Sequence, residues 1–286
     1  MLRRILLASA GAMALAGTAF AADLPSRGPP PVFLPPPLVY SWTGLYAGIN
    51  AGYHWGGSST QFTGTDTDVF GLGSLLSAGL IPTVGANGAS GFIGGGQIGY
   101  NYQINSFVLG LEVDVDGATG RKNLDTAFGP DLGLIPVFFS SSQGLDWLGT
   151  VRGRIGWTPI DHLLIYGTGG LAFGQSKAAF SVVQPDAIPP AFLFASSSVS
   201  VGWAAGGGVE YALPDDWSNW SVKVEYLHYD LGRTTATVFY SYPNADFSCL
   251  TCESSSLTGQ TRHNGNIVRA GLNYKFNWGA PVVAKY

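Results

Sequence analysis

Apolar and polar residues alternate one by one along eight stretches of the chain, most regularly over residues 266–276. One row of this last stretch is apolar, namely Val268, Ala270, Leu272, Tyr274 and Phe276. The other row is mostly polar, namely Ile267, Arg269, Gly271, Asn273 and Lys275. Because successive side chains of a β-strand point to opposite faces, this alternation predicts a strand with one apolar and one polar face.

The other seven stretches show the same pattern, so that we predict eight strands. They are residues 42–55, 91–103, 107–116, 147–157, 163–174, 199–211 and 220–226. Long and short connections alternate between them, and the short ones contain turn residues such as Asn105, Asp161 and Pro214. Each charged residue of the eight stretches lies on the polar row.

Two architectures fit such strands. A soluble sandwich buries its apolar rows, whereas a membrane barrel turns them toward lipid. The even number of strands and the alternating connection lengths favour an all-β fold, an eight-stranded antiparallel transmembrane β-barrel. We expect long extracellular loops at residues 56–90, 117–143, 175–198 and 233–263, and short periplasmic turns.

Aromatic residues near the strand ends also favour the barrel. Rings with polar tips prefer the two membrane–water interfaces, where they form two girdles. The tryptophans assigned to this aromatic girdle are Trp42, Trp55, Trp147, Trp157, Trp203 and Trp220.

The N-terminus indicates export. Arg3 and Arg4 precede an apolar run that ends at a small-residue cleavage pattern, so residues 1–21 are predicted to be a cleaved signal peptide. A Pro-rich periplasmic segment (22–41), an outer-membrane β-barrel (42–276) and a C-terminal tail (277–286) follow. Tyr274 and Phe276 are candidates for the C-terminal insertion signal, and it stays open whether Phe276 or Tyr286 completes it.

Composition separates this chain from helical membrane proteins. Only 11% of residues are charged and 13% are aromatic, yet no stretch after the signal has the roughly 18 consecutive apolar residues of a spanning helix. A chain without such helices crosses lipid only as a closed barrel, because each backbone polar group must be satisfied internally. Removal of the signal leaves 12 of the 14 basic residues against 18 acidic ones, and this balance does not indicate nucleic-acid binding.

Several motifs resemble those of the small outer-membrane β-barrel proteins of alphaproteobacteria, also called a porin family and related in fold to the OmpA transmembrane domain. The motifs are WTGLYAGINAGY (42–53), WLGTVRGRIG (147–156), YGTGGLAF (166–173), GGGVEY (206–211), VEY (224–226) and VRAGLNYKF (268–276). The resemblance implies an eight-stranded barrel, surface exposure and a role in the Gram-negative cell envelope. The long loops and the tail after Phe276 depart from the family pattern.

Seven charged residues on the polar rows lie near the middle of their strands. They are Glu112, Arg152, Arg154, Glu210, Lys223, Glu225 and Arg269. The interior of an eight-stranded barrel is just wide enough to be filled by side chains. We therefore expect a network of ion pairs that closes the lumen. The alternative is the selectivity filter of a porin-like channel for small hydrophilic solutes.

Other candidate motifs favour structural interpretations. Gly94-x-Gly96-x-x-Gly99 matches a dinucleotide fingerprint, but it lies inside an alternating strand rather than before a helix. Cys249 and Cys252 are predicted to form a local disulfide in the last long loop, although redox and zinc motifs share this spacing. His54, His228 and His263 lack the acid–histidine–serine spacing of a catalytic set. We therefore predict no enzymatic activity, no metal and no cofactor.

The function predicted from the sequence is a structural or surface role in the envelope. Besides the channel, a second alternative is a surface receptor or adhesin that acts through the long loops, haemin-binding as in some similar family members. The expected partners are outer-membrane lipid and lipopolysaccharide, the outer-membrane insertion machinery, and a host or environmental ligand at the loops. No nucleic-acid partner is expected.

Overall fold

The computed structural model describes residues 40–57, 59–66, 72–85, 88–128, 136–183, 191–242 and 253–276. The strands in this part of the chain are β1 (Gly44–Gly56), β2 (Ser59–Asp66), β3 (Ser90–Ile104), β4 (Phe107–Ala118), β5 (Arg121–Phe128), β6 (Val137–Ile160), β7 (Leu163–Val183), β8 (Ala191–Ala212), β9 (Trp220–Tyr242) and β10 (Glu253–Phe276). A short helix α1 (Leu72–Ser77) follows β2, and a 3-10 turn (Asp215–Trp217) precedes β9. None of the described helices is long and apolar enough to span a bilayer.

Eight strands form a closed antiparallel ring in the order β1-β3-β4-β6-β7-β8-β9-β10. The ring closes because β1 pairs with β3 on one side and with β10 on the other, from Leu45 opposite Phe276 to Gly56 opposite Gly265. The predicted class, an antiparallel β-barrel, is confirmed. The described residues form ten strands rather than eight, because β2 pairs with β10 beyond the end of β1, and β5 pairs with β6 beyond the end of β4.

The two ends of the barrel differ. Three short connections lie at one end, the turn end, where Asn105 adopts a left-handed φ of 53° in the two-residue β3–β4 hairpin. At the other end, the hairpin end, β6 to β10 continue to lengths of 21 to 24 residues. The assignment of 117–143, 175–198 and 233–263 to loops is therefore wrong for most of these residues. The outer row contains Ser140, Ser142 and Ser181 there, so the alternation is lost although the backbone pairing continues.

The apolar rows of the ring strands face outward and the polar rows face inward. Leu109, Val151 and Val224 are exposed, whereas Glu112, Arg152 and other charged residues of the neighbouring rows are buried. A soluble sandwich would have the opposite arrangement. The outward apolar surface is therefore available for contact with lipid.

Three apolar clusters divide the interior along the barrel axis. The lower cluster, near the turn end, contains Trp42, Val108, Leu164, Tyr166 and Ala212. The middle cluster contains Ile93, Leu145, Leu148, Ala172, Ala204, Leu227, Tyr229, Leu231 and Ile267. The upper cluster, near the hairpin end, contains Phe62, Leu75, Ile81, Val137, Phe139, Phe180, Val182 and Leu257. The charged residues of β4 lie between the lower and middle clusters.

Helix α1 and the chain that follows it belong to the upper cluster. Leu75 and Ile81 are buried against residues of β2, β6, β7 and β10. The backbone of this segment also bonds to β2, since Phe62 N donates to Thr83 O (2.9 Å) and Gly85 N donates to Thr60 O (2.9 Å). This segment therefore packs onto the barrel wall at the hairpin end.

Candidate functional site: the charged interior of the barrel

Arg152 lies at the centre of the interior and is fully buried. Its guanidinium contacts carboxylates from two other strands: Glu112 (2.7 Å) and Asp114 (2.8 Å) on β4, and Glu225 (3.0 Å) on β9. Arginine suits this position because its planar guanidinium offers five donors at once. One side chain of β6 thus joins the two opposite sides of the ring.

Arg269 of β10 forms a second centre. Its guanidinium contacts Asp116 at 2.6 Å, Glu225 at 2.7 Å and Asp114 at 3.1 Å. The pairing of Arg269 with Glu225 follows from the direct register of β9 and β10, in which the two residues are opposite each other. The contacts with β4 instead cross the lumen.

Arg154 and Lys223 extend the network toward the turn end. Arg154 Nη2 donates to Glu210 (2.6 Å), and Lys223 Nζ donates to both oxygens of Glu112 (2.9 and 3.0 Å). The Arg154 guanidinium also lies over the rings of Tyr46 and Tyr166, at 5.6 and 4.3 Å from their centroids.

Neutral side chains donate further hydrogen bonds to carboxylates of the network, although Asp116 Oδ1 has no partner among the described residues. Tyr46 Oη donates to Glu112 (2.7 Å), and Tyr166 Oη donates to Glu225 (3.1 Å). Further donors are Thr150 to Asp114 (2.6 Å), and Ser221 and Asn273 to Glu210 (2.6 and 2.8 Å). Such bonding matters because a buried charge costs several kcal/mol unless it is paired and hydrogen-bonded.

All seven charged residues named from the sequence are brought together here, but the sequence analysis missed part of the cluster. Asp114 and Asp116 bring the number of acidic groups from three to five, against four basic groups. Both lie on the same polar row of β4 as Glu112, so the alternation would have allowed us to include them in the network. Tyr46 and Tyr166 also face inward. The alternation of residues did not indicate that their hydroxyl groups would bond to carboxylates of the network.

Trp42 does not belong to the aromatic girdle, and its assignment there is wrong. Its side chain is only 2% exposed and lies in the lower cluster inside the barrel. Indole Nε1 donates to Asp161 O (3.2 Å), and the backbone N–H of Trp42 donates to Gln103 Oε1 (2.7 Å). Strict parity gives the same result, since Trp42 lies on the even-numbered row with the buried Tyr46 and not on the outward row with Leu45.

The other five girdle tryptophans belong to the outer surface. Trp55, Trp157 and Trp203 are exposed, and Trp147 and Trp220 are half-buried against neighbours. Their contacts are as follows: Trp147 Nε1 donates to Gln175 Oε1 (3.1 Å), and the Trp220 ring packs edge-on against Tyr274, which in turn packs against Phe276. Cys249, Cys252, the predicted signal peptide and residues 277–286 lie outside the described residues.

The three candidate histidines, His54, His228 and His263, are placed in two different environments. His228 lies on the outer face, where Nδ1 is 2.9 Å from Asn266 Oδ1 and the ring packs against Trp203. His54 and His263 instead face the interior and line one cavity above the middle cluster. Gly94, Gly96 and Gly99 lie within β3, far from the strand–helix junction that a dinucleotide requires.

Comparison with known proteins gives consistent matches over nearly the whole chain. The model of the family described as outer membrane protein beta-barrel domain matches residues 5–276. The chain is similar to the 31 kDa outer-membrane immunogenic protein of Brucella melitensis biotype 1, with 35% identity over 276 residues that cover 96% of this chain and 100% of the relative. It is also similar to the 25 kDa outer-membrane immunogenic protein of Brucella canis, with 28% identity over 278 residues, 96% of this chain and 99% of the relative. Among solved structures, the outer membrane protein OprG from Pseudomonas aeruginosa aligns with 83% of this chain and 99% of its own, with 12% identity and a TM-score of 0.40.

Proposed function

Because this chain belongs to the outer membrane protein beta-barrel domain family and is an outer-membrane protein, we propose that it is a closed, non-conducting barrel with a structural and surface role in the cell envelope. The ion-pair network would fix the barrel and block the lumen, and the hairpin end would contact molecules outside the cell. We propose no catalytic role for it.

The observation that carries this proposal is the density of bonding across the lumen. Arg152 and Arg269 are fully buried and contact carboxylates on both sides of the ring. A water-filled pore would leave such groups hydrated, whereas here each guanidinium is saturated by protein oxygens. Apolar clusters lie above and below the charged layer and support the same conclusion.

Conductance in a planar lipid bilayer tests the proposal. The purified protein, refolded without detergent carry-over, is expected to give no steady single-channel steps, because the buried ion-paired layer and the apolar clusters on either side of it leave ions no hydrated path. Arg152→Glu places a fourth carboxylate beside Glu112, Asp114 and Glu225, so this variant is expected to lose stability rather than to change selectivity. Steady channels whose ion selectivity shifts with Arg152→Glu at unchanged stability would establish the porin-like alternative instead.

A matched control separates lumen chemistry from general damage. Lys177→Glu reverses a charge in the exposed pair of Lys177 with Asp146 (2.6 Å), outside the lumen. This variant is expected to match the unmodified protein in conductance and nearly in stability. A channel that appears in both variants would point to incomplete refolding.

A second candidate function is binding of a host or environmental ligand at the hairpin end. It is favoured by the length of β6 to β10, which present a folded surface beyond the outer aromatic residues. The similar Brucella proteins are named immunogenic. Deletion of residues 138–142 with their partners 179–183 should remove ligand adhesion by intact cells and leave barrel assembly unchanged, whereas unchanged adhesion to a candidate surface would argue against this role.

The location of the protein in the outer membrane suggests which partners it meets during and after assembly. We propose contact of the outward rows with outer-membrane lipid and lipopolysaccharide, and recognition of Tyr274 and Phe276 by the insertion machinery. Both rings lie on the outer face at the turn end of β10, where they contact each other at 5.2 Å. Phe276→Ala should lower the amount of assembled barrel in cells, while truncation after Phe276 should not; the opposite result would transfer the signal to Tyr286.

A further inference from the structure

The basic residues outside the interior network and the turn end lie at one level of the barrel. Among the described residues they are Arg121, Lys122, Lys177, Arg233 and Arg262. This level comes just after the outermost aromatic residues of the ring. Lys177 is four residues beyond Phe173 on β7. Arg262 is four residues beyond Asn266 on β10, which is opposite Trp55 of β1.

Neither side of this level carries further basic residues on the outer surface. Toward the turn end, the outward rows of the described ring strands contain no lysine or arginine. Toward the hairpin end, the described parts of β2, α1 and β5 to β10 contain none beyond this level. An apolar band, then aromatic rings, then cations is the order expected where a membrane surface carries negative charge.

An open groove lies at this level on the outer face of β5 to β8. Arg121 of β5 and Lys177 of β7 are both opposite Gly144 of β6, which is three residues beyond Trp147. Because Gly144 has no side chain, the two cationic side chains flank the groove, which has a volume of about 270 Å³. Its lining also includes the hydroxyl residues Ser142 and Ser197.

The groove has more positive charge than its own carboxylates balance. Lys177 pairs with Asp146 at 2.6 Å, and both side chains are partly exposed. Arg121 is exposed and has no carboxylate within ion-pair distance among the described residues. Its guanidinium is therefore available to an anion from outside the protein.

A second uncompensated arginine lies on β9, three strands away from β5. Arg233 is directly opposite Arg262 of β10, and like charges in this position destabilise a ladder. Asp230 pairs with Arg262 (2.5 Å), whereas Arg233 has no ion-pair partner among the described residues. An external anion would supply the missing counter-charge here as well.

We propose that this basic level binds the phosphate groups of lipopolysaccharide, with Arg121 in the groove of β5 to β8 as one site and Arg233 on β9 as a second. The inference rests on the proposed function, in which the hairpin end lies outside the cell and the outward rows contact outer-membrane lipid. The planar guanidinium suits a phosphate because it can donate two parallel hydrogen bonds to it.

The surface beyond the basic level favours lipopolysaccharide over a phospholipid. A phospholipid ends at its headgroup, whereas the sugars of lipopolysaccharide continue outward from the phosphates along the barrel wall. The outer rows of β6 and β7 present serine hydroxyls to this region, namely Ser140, Ser142 and Ser181. Hydroxyl groups can donate to and accept from sugar hydroxyls.

Native mass spectrometry of the full chain in detergent micelles tests the choice of lipid. The protein is titrated with bisphosphorylated lipid A, with lipid A that lacks both phosphates, and with phosphatidylglycerol, all in EDTA so that no divalent cation forms a bridge. We expect the bisphosphorylated form to bind at least about tenfold more tightly than the other two, as two phosphate contacts would give. Equal affinity for the two forms of lipid A would overturn the proposal. Equal affinity for phosphatidylglycerol would replace lipopolysaccharide by a general anionic surface and would overturn it too.

Charge-neutral variants locate the two sites. Arg121→Gln and Arg233→Gln should each weaken the binding of bisphosphorylated lipid A at one site roughly fivefold, and the double variant should have neither tight site. Lys122→Gln is the matched control, because it removes the same charge next to Arg121 but does not line the groove, and its ladder partner Gln143 is buried. Undiminished binding by the folded double variant, or equal losses in Arg121→Gln and Lys122→Gln, would show that these arginines do not hold the lipid.

The orientation is tested separately, in cells. With Cys249 and Cys252 replaced by serine, Asn123→Cys on β5 should react with a membrane-impermeant maleimide on intact cells. Labelling only after the outer membrane is broken would overturn the proposed orientation and this inference together. A loss of phosphate selectivity in micelles would instead overturn this inference alone, since the closed barrel is judged by its conductance.

Discussion

Arg269 Nη1 lies 2.6 Å from Asp116 Oδ2, although β1 and β3 separate their strands in the ring. The contact therefore runs across the lumen and not along the wall. It joins β4 to the strand that closes the barrel. Together with the contacts of Arg152, this contact connects strands that are not neighbours in the ring. We call this set of contacts the brace.

The first prediction concerns this brace. Arg152→Met should destabilise the barrel by about 3–5 kcal/mol, because three carboxylates lose their buried partner. Arg152→Met combined with Glu112→Gln should recover part of this loss, since one of the uncompensated charges is removed. Unfolding by urea in lipid bilayers measures both values. Lys177→Met breaks an exposed pair and should cost no more than about 1 kcal/mol.

The prediction would be contradicted if the loss of unfolding free energy in the double variant equalled the sum of the losses in the two single variants. Additivity would mean that Arg152 and Glu112 contribute independently, which their 2.7 Å contact does not allow if the interior excludes water.

The second prediction concerns lipid contact. Val224 is 60% exposed on the outward row of β9 within the ring, whereas Leu193 is 76% exposed on β8 near the hairpin end. Val224→Arg should cost about 2–4 kcal/mol because it places a charge near the bilayer midplane, and Leu193→Arg should cost about 0–1 kcal/mol. Equal losses of refolding free energy for the two variants would mean that the bilayer does not surround the barrel at the level of Val224.

The third prediction concerns Trp42 and the turn end. Trp42→Ala should lower the free energy of unfolding by about 3–5 kcal/mol, the usual cost of truncating a buried tryptophan. Conductance should stay absent, because the charged layer lies above the lower cluster and is unchanged. Trp220→Ala is a suitable control, since that ring lies on the outer face. A channel opened by Trp42→Ala alone would identify the lower cluster as the true closure.

The fourth prediction concerns pH and helix α1. Burial by itself raises the pKa of Asp66, but hydrogen bonds from Ser255 Oγ (2.5 Å) and from the backbone N–H groups of Gly73 and Ser74 outweigh it and hold the pKa below its usual value. The bonds therefore stabilise α1 above the unfolded pKa of about 3.9, and this stability is lost as the pH falls through the lower folded value.

Hydrogen exchange of the α1 amides measures this effect. Protection should decrease below about pH 4 in the unmodified protein. Asp66→Asn should show weaker protection at neutral pH and little further change on acidification. The same acid-dependent loss in Asp66→Asn would assign the effect to another group.

The strands of the ring could be predicted from the sequence. Each of them has one face toward the outer surface and one toward the interior, so apolar and polar residues alternate along it. The positions of Arg152 and Arg269 in the interior follow from the same parity. Alternation is harder to recognise beyond the outer aromatic residues, where serine occurs on both faces of β6: Ser140 and Ser142 lie on the outer row and Ser141 on the inner row. Ser141 and Ser255, which a loop assignment makes accessible, are therefore buried in β6 and β10.

Other features of the site could not be predicted for different reasons. The Asp116–Arg269 contact depends on the reach of a long side chain across the lumen, which pairwise strand order does not encode. The inward position of Trp42, by contrast, was predictable, because Trp42 lies on the same even-numbered row as the buried Tyr46. The end of the β8–β9 ladder at Trp203 and Asp230 also lies in a stretch of ordinary strand composition, apart from Gly232 with its left-handed φ of 81°.

The extension of β6 beyond Trp147 also bears on immune recognition. Residues Val137 to Asp146 continue as paired strand, and at about 3.3 Å per residue with a tilt near 40° they rise roughly 25 Å. With the hairpin end outside the cell, as we propose, an antibody that approaches it would meet neighbouring strands held in register, with side chains contributed by distant parts of the sequence. Its epitope is then conformational, and linear peptides copied from this region would be poor immunogens for raising antibodies that bind living cells.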